Sequence, residues 1–148
     1  MPDDAPQSST VAFARVDSAL ITVEECARAV TTDTAGAVVT FAGVVRNHDE
    51  GRDVLTLEYS AHPSAAEVIA RVAATVAAEF PAVRLAVAHR VGSLVVGDVA
   101  LACAAASAHR AEAFEACSRL VDAVKDTVPI WKFQAFADGS TEWVAALE

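Results

Sequence analysis

The chain has 148 residues, of which 54% are hydrophobic and 21% charged, enough apolar material for the core of one domain. Its net charge of -9 excludes nucleic acid and anionic membrane as partners, since both require a basic face. No apolar stretch is long and uninterrupted enough to span a bilayer, and three cysteines (Cys26, Cys103, Cys117) without a C-x-x-C pair fit reduced thiols in a cytoplasmic protein better than a disulfide framework or a zinc site.

Residues 1–10 lack the basic and apolar regions of a signal peptide and read as a short disordered arm, ahead of a single domain over 11–148. Strand-like runs follow at 11–16 and 19–21. Thr22-Val23-Glu24-Glu25 reads as a capping box opening a helix to about Val30, and 31–36 as a loop. Residues 36–46 are β-branched and apolar on both faces, which predicts a central strand. A polar turn around Gly51 leads to an alternating strand at 54–59, expected to pair with it as a hairpin. Ser64-Ala65-Ala66-Glu67 reads as a second capping box. Val68, Ile69, Val72, Val76 and Phe80 then recur at helical spacing until Pro81.

Val83, Leu85, Val87 and His89 fall on one face of the next strand, and Gly92 and Gly97 punctuate two turns. Residues 99–106 form a buried strand with Val99, Leu101 and Cys103 on one side. The other side is only alanine, which lets a helix pack close. Ser107 is placed to cap a helix over 108–125, with Phe114, Cys117, Leu120, Val121 and Val124 on its apolar side. Pro129 ends that segment, 130–136 is a long strand, and 142–145 follows the Gly139 turn. The order predicts an α+β domain: a mainly antiparallel sheet packed with three helices, with split β-α-β (ferredoxin-like or hammerhead) character.

The chemistry concentrates around the last helix. At about 100° per residue, Arg110 falls within its apolar arc and Lys125 at the edge. A cation there, in the first helical turn for Arg110, is unfavourable unless an anion or a carboxylate partner meets it. An anion would be met by both the guanidinium and the free N–H groups. His109 alone is an ordinary helix-start residue. Lys125 alone is a favourable C-terminal helix charge, and Lys132 alone can face water. Brought together across Pro129, the two lysines lower each other's proton affinity, the usual route to a lysine base or nucleophile. Arg46 closes a buried strand where a polar loop begins. His89 reads as a satisfied core-edge histidine, His48 and His62 as loop residues, and Cys117 as an inert packed thiol. No metal-ligand cluster, phosphate-binding glycine loop or nucleophile elbow is present, so neither a metal nor a cofactor is expected.

Several segments occur in a familiar order. Phe41-Ala42-Gly43-Val44-Val45-Arg46-Asn47, Leu57-Glu58-Tyr59, His89-Arg90-Val91-Gly92, Ala108-His109-Arg110, Asp122-Ala123-Val124-Lys125 and Pro129-Ile130-Trp131-Lys132 together resemble the large, catalytic subunit of molybdopterin synthase, from about Gly36 to Val144. The resemblance implies a sulfurtransferase of molybdenum cofactor biosynthesis. Such proteins convert cyclic pyranopterin monophosphate to molybdopterin with sulfur from the C-terminal Gly-Gly thiocarboxylate of a small ubiquitin-like subunit. It also implies a homodimer core within a heterotetramer. By position, Lys125 and Lys132 correspond to the catalytic lysines. Arg46, His109 and Arg110 correspond to residues that bind the pterin phosphate, and Val44, Val45, Phe133 and Gln134 border the same pocket. Gln134 stands where such proteins usually carry a glutamate, which leaves a non-catalytic, anion-binding scaffold paralogue as the alternative.

Overall fold

The computed structural model describes residues 10–145, so the arm expected at 1–10 lies, apart from Thr10, outside the described residues. In chain order the elements are β1 (Val11–Asp17), α1 (Val23–Val30), β2 (Ala37–Val44), β3 (His48–Asp49), β4 (Arg52–Ala61), α2 (Ala65–Glu79), β5 (Arg84–Arg90), β6 (Gly92–Leu94), β7 (Val99–Ser107), α3 (Arg110–Thr127), β8 (Ile130–Phe136) and β9 (Thr141–Ala145). They form the α+β arrangement with three helices that the sequence predicts.

Two sheets share the work. The first has the order β1-β5-β7-β2, and the second is built on β3-β4-β8-β9 with β6 also on β4. Because β2 and β5 are both antiparallel to β7, they run parallel to each other with β7 between them and α2 in their connection. That is the expected split β-α-β unit. Only β1 and β5 pair in parallel directly among the described strands.

The first sheet is covered on both faces. Leu85, Val87, Leu101, Cys103 and Ala105 meet α2 and α3 on one side. Ala86, Ala88, Ala102, Ala104 and Ala106 meet α1 on the other. The alanine face of β7 is what admits α1 at close range, as its composition implies. A third, small cluster of Val45, Leu57, Leu94 and Ala100 joins the two sheets.

Several local expectations are corrected. Residues 19–21 are not a strand: the chain bends at Ser18 and Ala19, where the Ala19 N–H is held by the Asp17 carboxylate at 2.9 Å, and continues without regular structure to α1. The Thr22 hydroxyl caps α1 through the Glu25 N–H at 3.0 Å, but the Glu25 carboxylate turns away to Arg15 at 2.7 Å, so the box is half made. Ser64 makes no capping bond, because its hydroxyl pairs with His62 Nδ1 at 2.9 Å. His109, not Ser107, is the residue before α3, and the Ser107 hydroxyl instead donates to the His109 carbonyl.

The strand at 36–46 is an edge strand, not a central one, and Val38 and Val44 are exposed at that edge. Nor does it pair with β4. The β4 strand forms its hairpin with β3, across Glu50 and Gly51, both at positive φ (50° and 80°) as a tight two-residue turn requires. Phe114 is 60% exposed, and Arg110 beside it on the helix is exposed too. The buried stripe of α3 runs instead through Ala113, Ala116, Cys117, Leu120, Val121 and Val124. Small side chains mark the contact because the helix lies close to the sheet.

Candidate active site

The two sheets meet over the Val45–Leu57–Leu94–Ala100 cluster, and a cavity of about 270 Å³ opens there. Its wall combines Val44 at the end of β2, Val45 and Arg46 after it, His48 and Asp49 of β3, and Tyr59 of β4. His89 of β5, Lys125 of α3, and Lys132 and Gln134 of β8 complete it.

Each placement follows from local structure. Alternation along β8 sends Ile130, Lys132, Gln134 and Phe136 to one face, and Trp131 and Phe133 to the other. Antiparallel pairing sets Lys132 opposite Tyr59 and Gln134 opposite Leu57. Lys125 lies in the last turn of α3, where a cation suits the helix dipole. The break at Val128 and Pro129 then returns the chain as β8, so both lysines reach one cavity from different elements.

Three basic side chains line the cavity (Arg46, Lys125, Lys132) against one carboxylate, Asp49. In a chain of net charge -9 this is a local reversal of sign, and it favours an anionic occupant. Arg46 is 65% exposed along its side chain and sits 3.5 Å from Asp49. Asp49 is held below its ordinary carboxylate pKa, chiefly by the hydrogen bond from Gln134 and further by the charges of Lys132, Arg46 and Arg52, against the opposing effect of burial.

His89 is displaced further. Burial, with a smaller contribution from the Lys125 charge, pushes its pKa down to about 4, despite the Arg90 carbonyl. That carbonyl lies 2.9 Å from Nδ1 and can only accept, so Nδ1 carries the proton and Nε2 keeps the lone pair. The ring packs edge-on to Tyr59 at 5.1 Å between centroids. The cavity wall therefore holds a neutral imidazole near a lysine.

Of the residues singled out from sequence, Val44, Val45, Arg46, Lys125, Lys132 and Gln134 line this one cavity. His109 and Arg110 do not. They stand at the opposite end of α3 from Lys125, roughly 22 Å away at 1.5 Å per residue. Phe133 also lies off the cavity, on the reverse face of β8 against Trp143, at 4.8 Å between ring centroids. Sequence reasoning missed His48, Asp49, Tyr59 and His89. In sequence His89 shares an apolar face with Leu85 and Val87, and His48 and Asp49 lie in a polar stretch that reads as loop. The positions of all four depend on the meeting of the two sheets. Cys117 is the inert thiol expected, its pKa raised to about 11 by burial.

Comparison with known proteins identifies the family and the fold. The family model described as MoaE protein matches residues 16–127. The molybdopterin synthase catalytic subunit of Nostoc sp. is 43% identical over 112 residues, covering 74% of this chain and 68% of that protein. Molybdopterin synthase catalytic subunit 1 of Mycobacterium tuberculosis is 37% identical over 133 residues, covering 89% and 90%. Among solved structures, molybdopterin synthase from Staphylococcus aureus superposes with a TM-score of 0.82 at 30% identity, over 88% of this chain and 95% of that one. The chain belongs to the MoaE protein family, the catalytic subunits of molybdopterin synthase.

Proposed function

We propose that this enzyme of molybdenum cofactor biosynthesis acts as a sulfurtransferase, and that the cavity at the junction of the two sheets is where it does so. The substrate is cyclic pyranopterin monophosphate. The sulfur donor is the C-terminal thiocarboxylate of a small ubiquitin-like subunit. The observation that carries this reading is the convergence of Lys125, Lys132 and Arg46, from three separate parts of the chain, on one cationic cavity.

Each residue has a role suited to its place. Arg46, at the exposed rim, meets the phosphate, for which a planar guanidinium is well shaped. Lys132, fixed on a strand beside Tyr59, anchors and polarises the pterin. Lys125, at the end of a helix, meets the negatively charged thiocarboxylate and moves protons as sulfur adds to the pterin side chain. The neutral His89 imidazole gives the site an acceptor at physiological pH.

At about 270 Å³ the cavity is small for a ligand site, which fits a site completed by neighbouring chains. His109 and Arg110 belong to that completion. A helix length separates them from Lys125 in one protomer, several times the reach of an arginine, so they serve the cavity of a second copy. The exposed edge strand β2, with Val38 and Val44 open, offers apolar surface for such an assembly.

The test mixes the protein with a thiocarboxylated small subunit and the cyclic pterin, then measures dithiolene product. Turnover is expected, and Lys125→Ala is expected to lower it by at least ~100-fold while the complex still forms on gel filtration. Absence of product with a competent partner would favour the scaffold alternative. Normal turnover by Lys125→Ala would remove that lysine from the mechanism.

A further inference from the structure

Gln134 is 3% exposed, and both hydrogens of its side-chain amide are committed. Nε2 donates to Asp49 Oδ2 at 2.8 Å and to Glu142 Oε1 at 3.3 Å. The other Asp49 oxygen, Oδ1, lies 3.5 Å from the Arg46 guanidinium. Glu142 in turn accepts from Arg52 at 3.4 Å, and the Arg52 guanidinium lies over the Phe136 ring at 3.8 Å. Asp49 and Arg52 are register partners flanking the β3–β4 turn. One amide on β8 thus links β3 and β9 within the second sheet and, through Asp49, the segment after β2.

The residue type matters here. Asp49 and Glu142 are both acceptors at neutral pH, and the atom between them must be a donor. An amide nitrogen supplies two hydrogens. The glutamate expected at this position from the family resemblance would supply none, and would place a third carboxylate against two others.

We propose that Gln134 is a positioning residue for the substrate phosphate: it fixes Asp49, and through Asp49 holds the Arg46 guanidinium at the cavity rim. It acts without touching substrate, since its donors are already used. This rests on reading the cavity as the pterin phosphate site. The glutamine and the nearly buried Asp49 form a matched pair in this chain, so exchanging the amide for a carboxylate leaves Arg46 poorly held.

The charged and titratable groups facing the pair are Lys132 on β8, Arg46 after β2, His48 on β3, Arg52 on β4 and Glu142 on β9. Arg52 and Glu142 offset each other, so the sensitive group is the carboxylate pair that Gln134→Glu would create with Asp49. Two carboxylates at hydrogen-bond distance take up one shared proton as the pH falls, which restores a donor between them.

The experiment compares wild type, Gln134→Glu, and Gln134→Glu combined with Asp49→Asn, in the reconstituted complex from pH 5.5 to 8.5. For Gln134→Glu the KM for the cyclic pterin monophosphate is expected to rise about tenfold at pH 8, with kcat within about threefold of wild type. The KM should return toward wild type at pH 5.5. The added Asp49→Asn supplies the missing hydrogen, so most of the loss should be recovered and the new pH dependence removed. An unchanged KM in Gln134→Glu would overturn the proposal. So would a loss confined to kcat, or a loss that neither low pH nor Asp49→Asn restores. Thermal melts of the same three proteins carry the comparison without turnover: Gln134→Glu should melt lower at pH 8, and the double variant should regain the difference. An inactive wild type with that melting pattern would reject the phosphate role while keeping the pair. An active wild type without it would reject the pair.

Discussion

His89 sits in the cavity wall as a buried imidazole whose proton affinity is set mainly by loss of water. Its pKa of about 4, against 6.5 for an unperturbed histidine, means that the unfolded chain binds a proton between those values and the folded chain does not. Folding stability therefore rises with pH across this window and is lost as the pH falls from 6.5 toward 4. The full displacement corresponds to about 3 kcal/mol. Asparagine keeps a donor for the Arg90 carbonyl but cannot titrate. Urea denaturation at a series of pH values should show His89→Asn losing less stability than wild type between pH 6.5 and 4, by up to that amount. Parallel losses in the two proteins would mean that His89 charges readily in the folded state. Asp49 has the opposite sign of effect on its own proton. Its carboxylate is favoured in the fold, so its contribution is present above the ordinary carboxylate pKa and disappears as the pH drops through the lower folded value. Both groups weaken the fold in acid, by different routes.

Close approach between elements is set by the smallest residues. Gly36, just ahead of β2, donates its N–H to the Ser107 carbonyl at 3.0 Å as the chain passes the entry to α3. A Cβ added to Gly36 would lie 2.5 Å from the Ala108 carbonyl oxygen, a backbone atom that cannot rotate aside. Gly36→Ala must therefore shift the turn that carries His109 and Arg110. A cost of about 1–3 kcal/mol is expected, typical of overpacking, and a fall in Tm of roughly 2–10 °C. Differential scanning calorimetry reads this directly, and an unchanged Tm would show that the turn yields freely. The same scale separates what was legible in the sequence from what was not. The alanine face of β7 announced a closely packed helix, and the alternation of β8 put Lys132 and Gln134 on one side, because both are local patterns. Phe114 misled because helical spacing put it beside Cys117 and Val121, whereas the buried stripe near the start of α3 passes through Ala113 and Ala116. The pairing of β4 with β8 in place of β2 was hidden altogether. Both alternatives satisfy the same period of two, and only the covering of each sheet decides between them.

At the scale of the whole molecule, the proposed function requires the separation of Arg110 from Lys125 along α3 to be bridged by a second copy. If the cavity of one protomer uses His109 and Arg110 of the other, defects in the two residues belong to different chains of a shared site. Mixing makes this measurable. Lys125→Ala and Arg110→Ala homodimers each carry two damaged sites. A heterodimer of the two variants carries one site with intact Lys125 from one chain and intact Arg110 from the other. Its second site carries both lesions. With differently tagged chains isolated as the mixed species, activity per dimer should return to about half that of wild type, as expected for one restored site in a two-fold assembly. If Arg110 acted on the lysine of its own chain, every site in the mixed dimer would keep one lesion, and no recovery would be seen. On the proposed reading, the helix that carries both residues is the ruler for the assembly: too long to join them in one chain, it would bring them to one site only across a symmetry axis.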